Sequence, residues 1–220
     1  RYPDGIEIHE TDHAAAEDAT QALLERDQVV LFEPAIRVGD FFIRIDVLVK
    51  DGNSFELIEV KAKSFNSEKP ELFGARGGIR SDMLPYVQDA AFQKWVLQQA
   101  FPDAVIKTCL MMPDKAQVAP VGGINQMFRI LPNREVETMI PTGVDGKALA
   151  ELLLAKVDVS PSVADILASP LAFPGGPLRF DEAAILWANH YGADKPVAAP
   201  IGAHCGGCQF DAPADSGLAS

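Results

Sequence analysis

The chain has 220 residues, of which 48% are hydrophobic, and its formal net charge is -12. This length is sufficient to bury a core, and no apolar run approaches the roughly 20 residues that span a membrane. Three cysteines do not make a disulfide framework, so a reducing, cytoplasmic environment is expected. The first residue is Arg1 rather than methionine, which predicts a piece of a longer protein.

Charge is unevenly distributed along the chain. Residues 33–97 hold nine basic and ten acidic side chains, whereas the remainder holds ten basic and twenty-one acidic side chains. The overall excess of negative charge argues against nucleic-acid binding. The nearly neutral segment nevertheless permits a polyanionic ligand in that part of the chain.

The first part of the chain predicts a helix, three strands, a second helix and a fourth strand. Thr11 or Asp12 would cap the first helix, and its expected buried stripe is Ala19, Ala22 and Leu23. The expected bounds are 14–26 for the first helix, 29–38, 41–50 and 55–63 for the strands, 82–100 for the second helix and 104–112 for the fourth strand. This order predicts an α/β core in which helices flank a central mixed sheet.

The second part of the chain is interrupted by many Pro and Gly residues. One or two strands are expected within 126–140, and short helices at 145–156, 161–168 and 180–190, before an Ala/Gly/Pro-rich tail. We therefore divide the chain into a core at residues 1–142 and a helical C-terminal appendage at residues 143–220.

The segment Asp51-Gly52-Asn53-Ser54 is a strong hairpin signal between the second and third strands. A two-residue loop at its centre pairs residues whose numbers sum to 105. The pairs on one face are Asp46 with Glu59, Arg44 with Lys61, and Leu48 with Leu57. The other face is nearly all apolar, so we expect it to be the core and the first face to gather two acids and two bases.

Opposed carboxylates destabilise an antiparallel pair, so Asp46 facing Glu59 is a poor choice for structure alone. A divalent cation between them would remove the repulsion, and the Val60 carbonyl could add an oxygen ligand, as hard cations such as Mg²⁺ prefer. Lys61 could then orient a metal-bound water or neutralise charge on a phosphate. The alternative is a solvated sheet face with ordinary ion pairs, Arg44 with Asp46 and Glu59 with Lys61.

The order of these residues resembles the PD-(D/E)xK nuclease signature, here Asp46 followed by Glu59-Val60-Lys61. The helix that follows carries "YVQDAAFQKWVL", which resembles the glutamine motif of RecB-type nucleases, with Gln93 as its glutamine. Over roughly residues 28–112 the chain is similar to the CRISPR-associated and AddB-like exonucleases that carry an iron–sulfur cluster. The resemblance implies a restriction-endonuclease-like core and a metal-dependent DNA nuclease that acts on single strands or ends.

The same resemblance implies a role for each site residue. Asp46, Glu59 and the Val60 carbonyl would bind Mg²⁺ or Mn²⁺, with Glu33 as an additional ligand. Lys61 would be catalytic, and Gln93 would position the nucleic acid or the attacking water. The expected DNA contacts are Arg44, Lys63 and Ser64. Ordinary alternatives stay open: Glu33 as a strand-end acid, Gln93 as a polar helix position, and Lys63 and Ser64 as a solvated strand end.

The tail contains Cys205-Gly206-Gly207-Cys208, which fits the closely spaced pair of cluster cysteines in that nuclease branch. The layout is also similar to an uncharacterised bacterial family in which this nuclease is joined to a DnaQ-like exonuclease domain. The resemblance to the iron–sulfur branch implies a 4Fe-4S cluster in the longer protein and an incomplete one in this fragment. Without that resemblance, half a zinc site with His204 is the leading interpretation of the pair, and a redox pair is a further alternative. Cys109 is expected to be a small buried hydrophobe.

Two functions of other classes also fit the sequence. One is a non-catalytic DNA-binding or scaffold module that retains the nuclease fold. The other is a zinc-stabilised interaction module in which the hairpin charges have no catalytic role. The intact set of two acids and a lysine argues against the first, and the lack of a second ligand pair argues against the second.

Overall fold

The computed structural model describes residues 1–69, 72–74, 78–132, 136–171 and 176–197. The chain divides into two compact units, Arg1–Leu167 and Ala168–Ser220. Its strands are β1 (Ile6–Glu7), β2 (Gln28–Phe32), β3 (Ala35–Val38), β4 (Phe41–Arg44), β5 (Val47–Asp51), β6 (Ser54–Val60), β7 (Val105–Pro113), β8 (Phe128–Ile130), β9 (Val136–Thr138) and β10 (Leu154–Asp158). Its α-helices are α1 (His13–Leu24), α2 (Leu84–Ala100), α3 (Gly146–Leu153), α4 (Ser160–Ala168) and α5 (Phe180–Gly192), and a 3₁₀ helix covers Ile124–Met127.

A six-stranded mixed sheet in the order β1-β2-β5-β6-β7-β10 forms the centre of the first unit. The β1/β2 and β6/β7 pairs are parallel and the other pairs are antiparallel. Helix α2 connects the parallel strands β6 and β7, as a crossover between parallel neighbours requires. The expected α/β class, with helices flanking a central mixed sheet, is therefore confirmed.

The β5–β6 hairpin has the expected register. Val47 pairs with Ile58, Leu48 with Leu57, and Asp51 with Ser54. Gly52 has a φ of 56°, the left-handed conformation that this tight turn needs and that glycine adopts at little cost. Continued by one residue, the same register sets Asp46 opposite Glu59 at the end of the hairpin that lies away from the turn.

Two of the expected strands are each broken in two. The 29–38 strand divides at Glu33-Pro34, where Glu33 has a φ of 55° and proline offers no amide to the ladder. The 41–50 strand divides at Ile45-Asp46. Between these breaks the chain leaves the central sheet and forms the separate β3–β4 hairpin, in which Arg44 pairs with Ala35. The expectation that Arg44 faces Lys61 is therefore wrong.

The division into one apolar and one charged sheet face is also wrong. Leu48 and Leu57, on the face expected to be polar, are fully buried in a cluster that includes Val96 and Leu97 of α2. The opposite face buries a second cluster of Val47, Ile58, Cys109 and Met111. Central strands that are covered on both faces are apolar on both faces. The Asp46–Glu59 pair lies beyond this apolar part of the hairpin, at the end away from the turn.

The helices follow the expected periodicity with two corrections. Asp12 caps α1, accepting a hydrogen bond from the Ala15 amide at 3.0 Å, but the helix buries Ala16, Thr20 and Leu24 while Ala22 is exposed. The helix expected at 145–156 ends at Leu153, because the next five residues form β10 on β7. No helix among the described residues is long and apolar enough to cross a membrane.

Candidate active site

The candidate site lies where β5 begins and β6 ends. Asp46 immediately precedes β5, and its Oδ2 accepts a hydrogen bond from the Val60 amide at 2.6 Å. The hairpin register produces this contact, since Asp46 and Glu59 are the next pair beyond Val47 and Ile58. The main chain of β6 thus holds the Asp46 carboxylate beside Glu59.

Glu59 is a buried carboxylate with two side-chain partners. Only 5% of the residue is exposed. Lys61 Nζ lies 2.5 Å from its Oε1, and Gln93 Nε2 donates to its Oε2 at 2.7 Å. The pKa of Glu59 is raised to about 7. Burial is the largest cause of this rise; the hydrogen bond from Lys61 opposes it, and the negative charge of Asp46 adds to it. The positive charge around Glu59 is therefore too small to offset the effect of burial on its pKa.

Lys61 is shared between two acids. Its Nζ lies 2.8 Å from Asp89 Oδ2 as well as beside Glu59, and it stands 5.6 Å from the centre of the Tyr86 ring. Burial lowers the pKa of Lys61, but the hydrogen bonds to Asp89 and Glu59 outweigh it, so the net shift is upward. Lys61 is consequently cationic at neutral pH and is held in place from both β6 and α2.

The sequence motifs led to Gln93 but not to Asp89. The two residues are four positions apart on α2, so both side chains project from one face of the helix. That spacing within "YVQDAAFQ" is the signal that could have identified Asp89 once Gln93 had been chosen. The partner of Asp89 lies on another element, and only the packing of α2 against β6 reveals it.

Gln93 has one amide atom without a partner. Its side chain is buried, and within the described part of the chain its Oε1 accepts no hydrogen bond. A buried acceptor left unpaired costs about 1–3 kcal/mol, so such atoms are rare in well-packed cores. Because its Nε2 is fixed on Glu59, the Oε1 atom is available to a donor such as a water molecule near that carboxylate.

Glu33, Asp46 and Val60 line a cleft of about 1140 Å³ on the other side of the strand end. The Glu33 amide donates to the Asp46 carbonyl at 3.2 Å, and Arg44 Nε lies 3.6 Å from Glu33 Oε2. Burial and then the charge of Asp46 raise the pKa of Glu33. The Glu59 side chain instead faces α2, where it contacts Gln93. Asp46 lies between Glu33 and Glu59 and raises the pKa of both carboxyl groups.

The three residues expected to contact DNA differ in their surroundings. Arg44 donates to the carbonyls of Glu10 and Ile8 at 2.8 and 3.0 Å, which uses its guanidinium to tie the N-terminal segment to β4. Lys63 pairs with Asp82, two residues before α2, and Ser64 is exposed next to Lys63 in the chain. Contact of any of the three with DNA stays a prediction.

The donors suited to a metal are few. Across the described ranges, no group of three or more His, Cys, Asp or Glu side chains is arranged to hold a metal ion. The candidate centre thus depends on Asp46, Glu59 and the Val60 carbonyl, with Glu33 close to Asp46. All of these donors are oxygen atoms, which are the ligands that Mg²⁺ and Mn²⁺ prefer.

The cysteines do not form a site in the described residues. Cys109 is buried and free, as expected for a small hydrophobe. Cys205 and Cys208 lie outside the described residues, so the expectations about the iron–sulfur cluster stay predictions.

Comparisons of the chain with protein-family models, with curated proteins and with solved structures find no match. The nuclease resemblance of the motifs consequently stays a prediction, and a function must be argued from the geometry of the residues.

Proposed function

We propose that this chain is a metal-dependent DNA nuclease with a restriction-endonuclease-like, RecB-type core of the PD-(D/E)xK class. The observation that carries the proposal is the joining of Glu59 to both Lys61 and Gln93 beside Asp46. Burying a carboxylate beside another acid is costly for a purely structural role, because one shared lysine offsets only part of the negative charge. A site for a divalent cation explains this arrangement.

The acids would hold the metal. Asp46, Glu59 and the Val60 carbonyl would bind Mg²⁺ or Mn²⁺, with Glu33 as an additional ligand. The cation would supply Lewis acidity for the phosphate and would lower the pKa of a bound water.

Lys61 and Gln93 would act on the phosphate and the attacking water. Lys61 is cationic, so it can donate to a phosphate oxygen as negative charge develops there. Gln93 Nε2 fixes the orientation of Glu59, and its unpaired Oε1 can accept a hydrogen bond from the attacking water and so orient it. Asp89 would position Lys61 by holding its ammonium from α2.

The substrate we propose is DNA, as single strands or duplex ends. A 4Fe-4S cluster at Cys205 and Cys208 and a DnaQ-like domain belong to the same proposal for the longer protein. Neither is needed for the chemistry at Asp46, Glu59 and Lys61.

Cleavage assays on matched variants test this function. Linear and circular DNA, single- and double-stranded, is incubated with Mg²⁺, Mn²⁺ or EDTA. The proteins are the wild type, Glu59→Gln and the control Glu56→Gln, which makes the same change on the opposite face of β6. We expect metal-dependent products from the wild type and the control and none from Glu59→Gln. A wild type that neither binds Mn²⁺ nor cuts DNA, or a Glu59→Gln variant that cuts normally, would refute the proposal.

A further inference from the structure

The Lys61 ammonium bridges two carboxylates that belong to different elements. Its Nζ lies 2.5 Å from Glu59 Oε1 on β6 and 2.8 Å from Asp89 Oδ2 on α2. The Glu59 side chain is 7% exposed, whereas the Asp89 side chain is 44% exposed. Lys61 therefore contacts one carboxylate inside the protein and a second one at its surface.

The Glu59 carboxylate divides its two oxygen atoms between a neutral and a charged partner. Oε2 accepts a hydrogen bond from the Gln93 amide at 2.7 Å, and Oε1 is the atom that Lys61 contacts. The Gln93 amide carries no net charge, so it does not repel a cation at Glu59. The Lys61 ammonium is charged, and a cation at Oε1 would lie directly beside it.

An ammonium and a divalent cation on one buried carboxylate repel each other. This repulsion varies inversely with the effective dielectric constant, which is lower around a buried group than in water. Glu59 is buried, and it is the proposed ligand for Mg²⁺ or Mn²⁺ together with Asp46. Lys61 and the cation would therefore compete for the same carboxylate.

Asp89 offers the ammonium a partner that does not depend on Glu59. Its Oδ2 already contacts Nζ, and the flexible stem of lysine can turn the ammonium from one acid toward the other. Because nearly half of the Asp89 side chain is exposed, water reaches this ion pair and little desolvation opposes it. Lys61 can thus leave Glu59 and still keep a counter-charge.

On the basis of the proposed nuclease function, we propose that Lys61 competes with the catalytic cation for Glu59 and that Asp89 sets the strength of this competition. Lys61 lowers the affinity of the site for the cation, because the ammonium must give up Glu59 when the cation binds. Asp89 restores part of that affinity by receiving the ammonium. This role differs from the catalytic role of Lys61, since it governs how the site is filled before any DNA is bound.

Calorimetric titration of the full chain with Mn²⁺, without DNA, tests this competition. The wild type, Lys61→Met, Asp89→Asn and the double variant form a double-mutant cycle. We expect Lys61→Met to bind Mn²⁺ about tenfold more tightly than the wild type, because the competing charge is gone. Asp89→Asn should bind about fivefold more weakly, whereas in the Lys61→Met background the same change should alter the affinity by about twofold or less.

The conditions and controls keep other effects apart. The titrations are run at pH 8.5 without oxygen, because Glu59 has a pKa of about 7 and a proton on it would also compete. Lys61→Gln removes the same charge with a polar side chain and replaces Lys61→Met if that variant does not fold. Lys156→Met and Asp158→Asn alter the ion pairs around Glu56 and should bind Mn²⁺ like the wild type.

The outcomes separate this inference from the nuclease proposal. Mn²⁺ binding that is equal or weaker without the Lys61 charge, in a variant folded by circular dichroism, would overturn the competition. An Asp89→Asn effect of the same size with and without Lys61 would show that Asp89 acts directly on the cation, and would overturn its proposed role. Either result is compatible with a wild type that binds Mn²⁺ and cuts DNA. Conversely, the expected cycle in a protein that never cuts DNA would refute the nuclease function alone, and a lack of Mn²⁺ binding by every variant would refute both.

Discussion

Glu56 and Glu59 lie three residues apart on β6, project from opposite faces of the sheet, and each contact a lysine. Glu56 Oε2 lies 2.6 Å from Lys156 Nζ, and Lys107 Nζ lies 3.5 Å from its Oε1. Burial raises the pKa of Glu56, but the hydrogen bond and the charge of Lys156 outweigh it, so its pKa is lowered. Burial raises the pKa of Glu59 despite Lys61. Two similar ion pairs on one strand are therefore accompanied by opposite shifts in the pKa of the glutamate.

The difference depends on the number of lysines around each carboxylate. At Glu56, Lys107 of β7 and Lys156 of β10 both contact the carboxylate, although Lys107 also lies 3.8 Å from Asp158, and the cluster ties three neighbouring strands together. At Glu59, one lysine also serves Asp89, while Asp46 adds further negative charge. The two lysines lower the pKa of Glu56, whereas the acids around Lys61 outnumber it. The presence of an ion pair thus says less about function than the balance of charge around it.

Among the variants, Lys61→Ala should differ most in DNA cleavage from a variant of the Glu56 cluster such as Lys156→Ala. We expect metal-dependent DNA cleavage to fall by about 10²–10³, because Lys61 is assigned to charge that develops in the transition state. DNA affinity and the fold should be largely unchanged. Single-turnover cleavage rates provide the measurement, with Lys156→Ala as a control that retains the wild-type rate. Equal rates for Lys61→Ala and the wild type would exclude a catalytic Lys61.

Asp46→Asn should weaken Mn²⁺ binding by about 100-fold, since loss of a carboxylate ligand should cost at least as much as the 10–100-fold reported for outer-shell partners. An asparagine oxygen can still accept from the Val60 amide, so the hairpin should persist. Calorimetric titration with Mn²⁺ checks this, with Asp51→Asn at the other end of β5 as the control. Unchanged affinity in Asp46→Asn would place the metal elsewhere.

The raised pKa of Glu59 predicts a dependence of stability on pH in the metal-free protein. Because its pKa is about 7 when folded and about 4.3 when unfolded, the native state binds more protons between these values. The stabilisation of the native state by this group is therefore fully present below pH 4.3 and is lost as the pH rises through 7, by at most about 4 kcal/mol. Glu59→Gln should flatten this decline. Urea unfolding between pH 4.5 and 8 measures it, and parallel profiles for both proteins would contradict the assignment.

Lys156→Ala should have the smallest effect. We expect the free energy of unfolding to fall by about 1 kcal/mol, because the pair with Glu56 is partly buried and Lys107 remains beside the carboxylate. Urea unfolding at pH 7 gives the value, and Lys50→Ala serves as a comparison. A much larger loss would show that Lys107 does not compensate and that the Glu56 cluster is a principal support of the sheet.

The sequence by itself determined the local part of the site. The Asp51–Ser54 turn determines the register of β5 and β6, since a two-residue loop and a side-chain period of two leave a single pairing. The position of Asp46 opposite Glu59 and the helix that carries Gln93 could therefore be predicted. Each depends on residues that are close in sequence.

Only the tertiary structure decided what lies around these residues. The breaks before β3 and before β5, the use of Arg44 on the Ile8 and Glu10 carbonyls, and the contact of Asp89 with Lys61 all depend on distant elements. The sequence of residues 154–158 does not decide between helix and strand, because a short apolar run fits either. These residues form a strand because they pair with the edge of β7. Burial by α2 then gives Glu59 its raised pKa, because the desolvation of a carboxylate depends on which elements cover it.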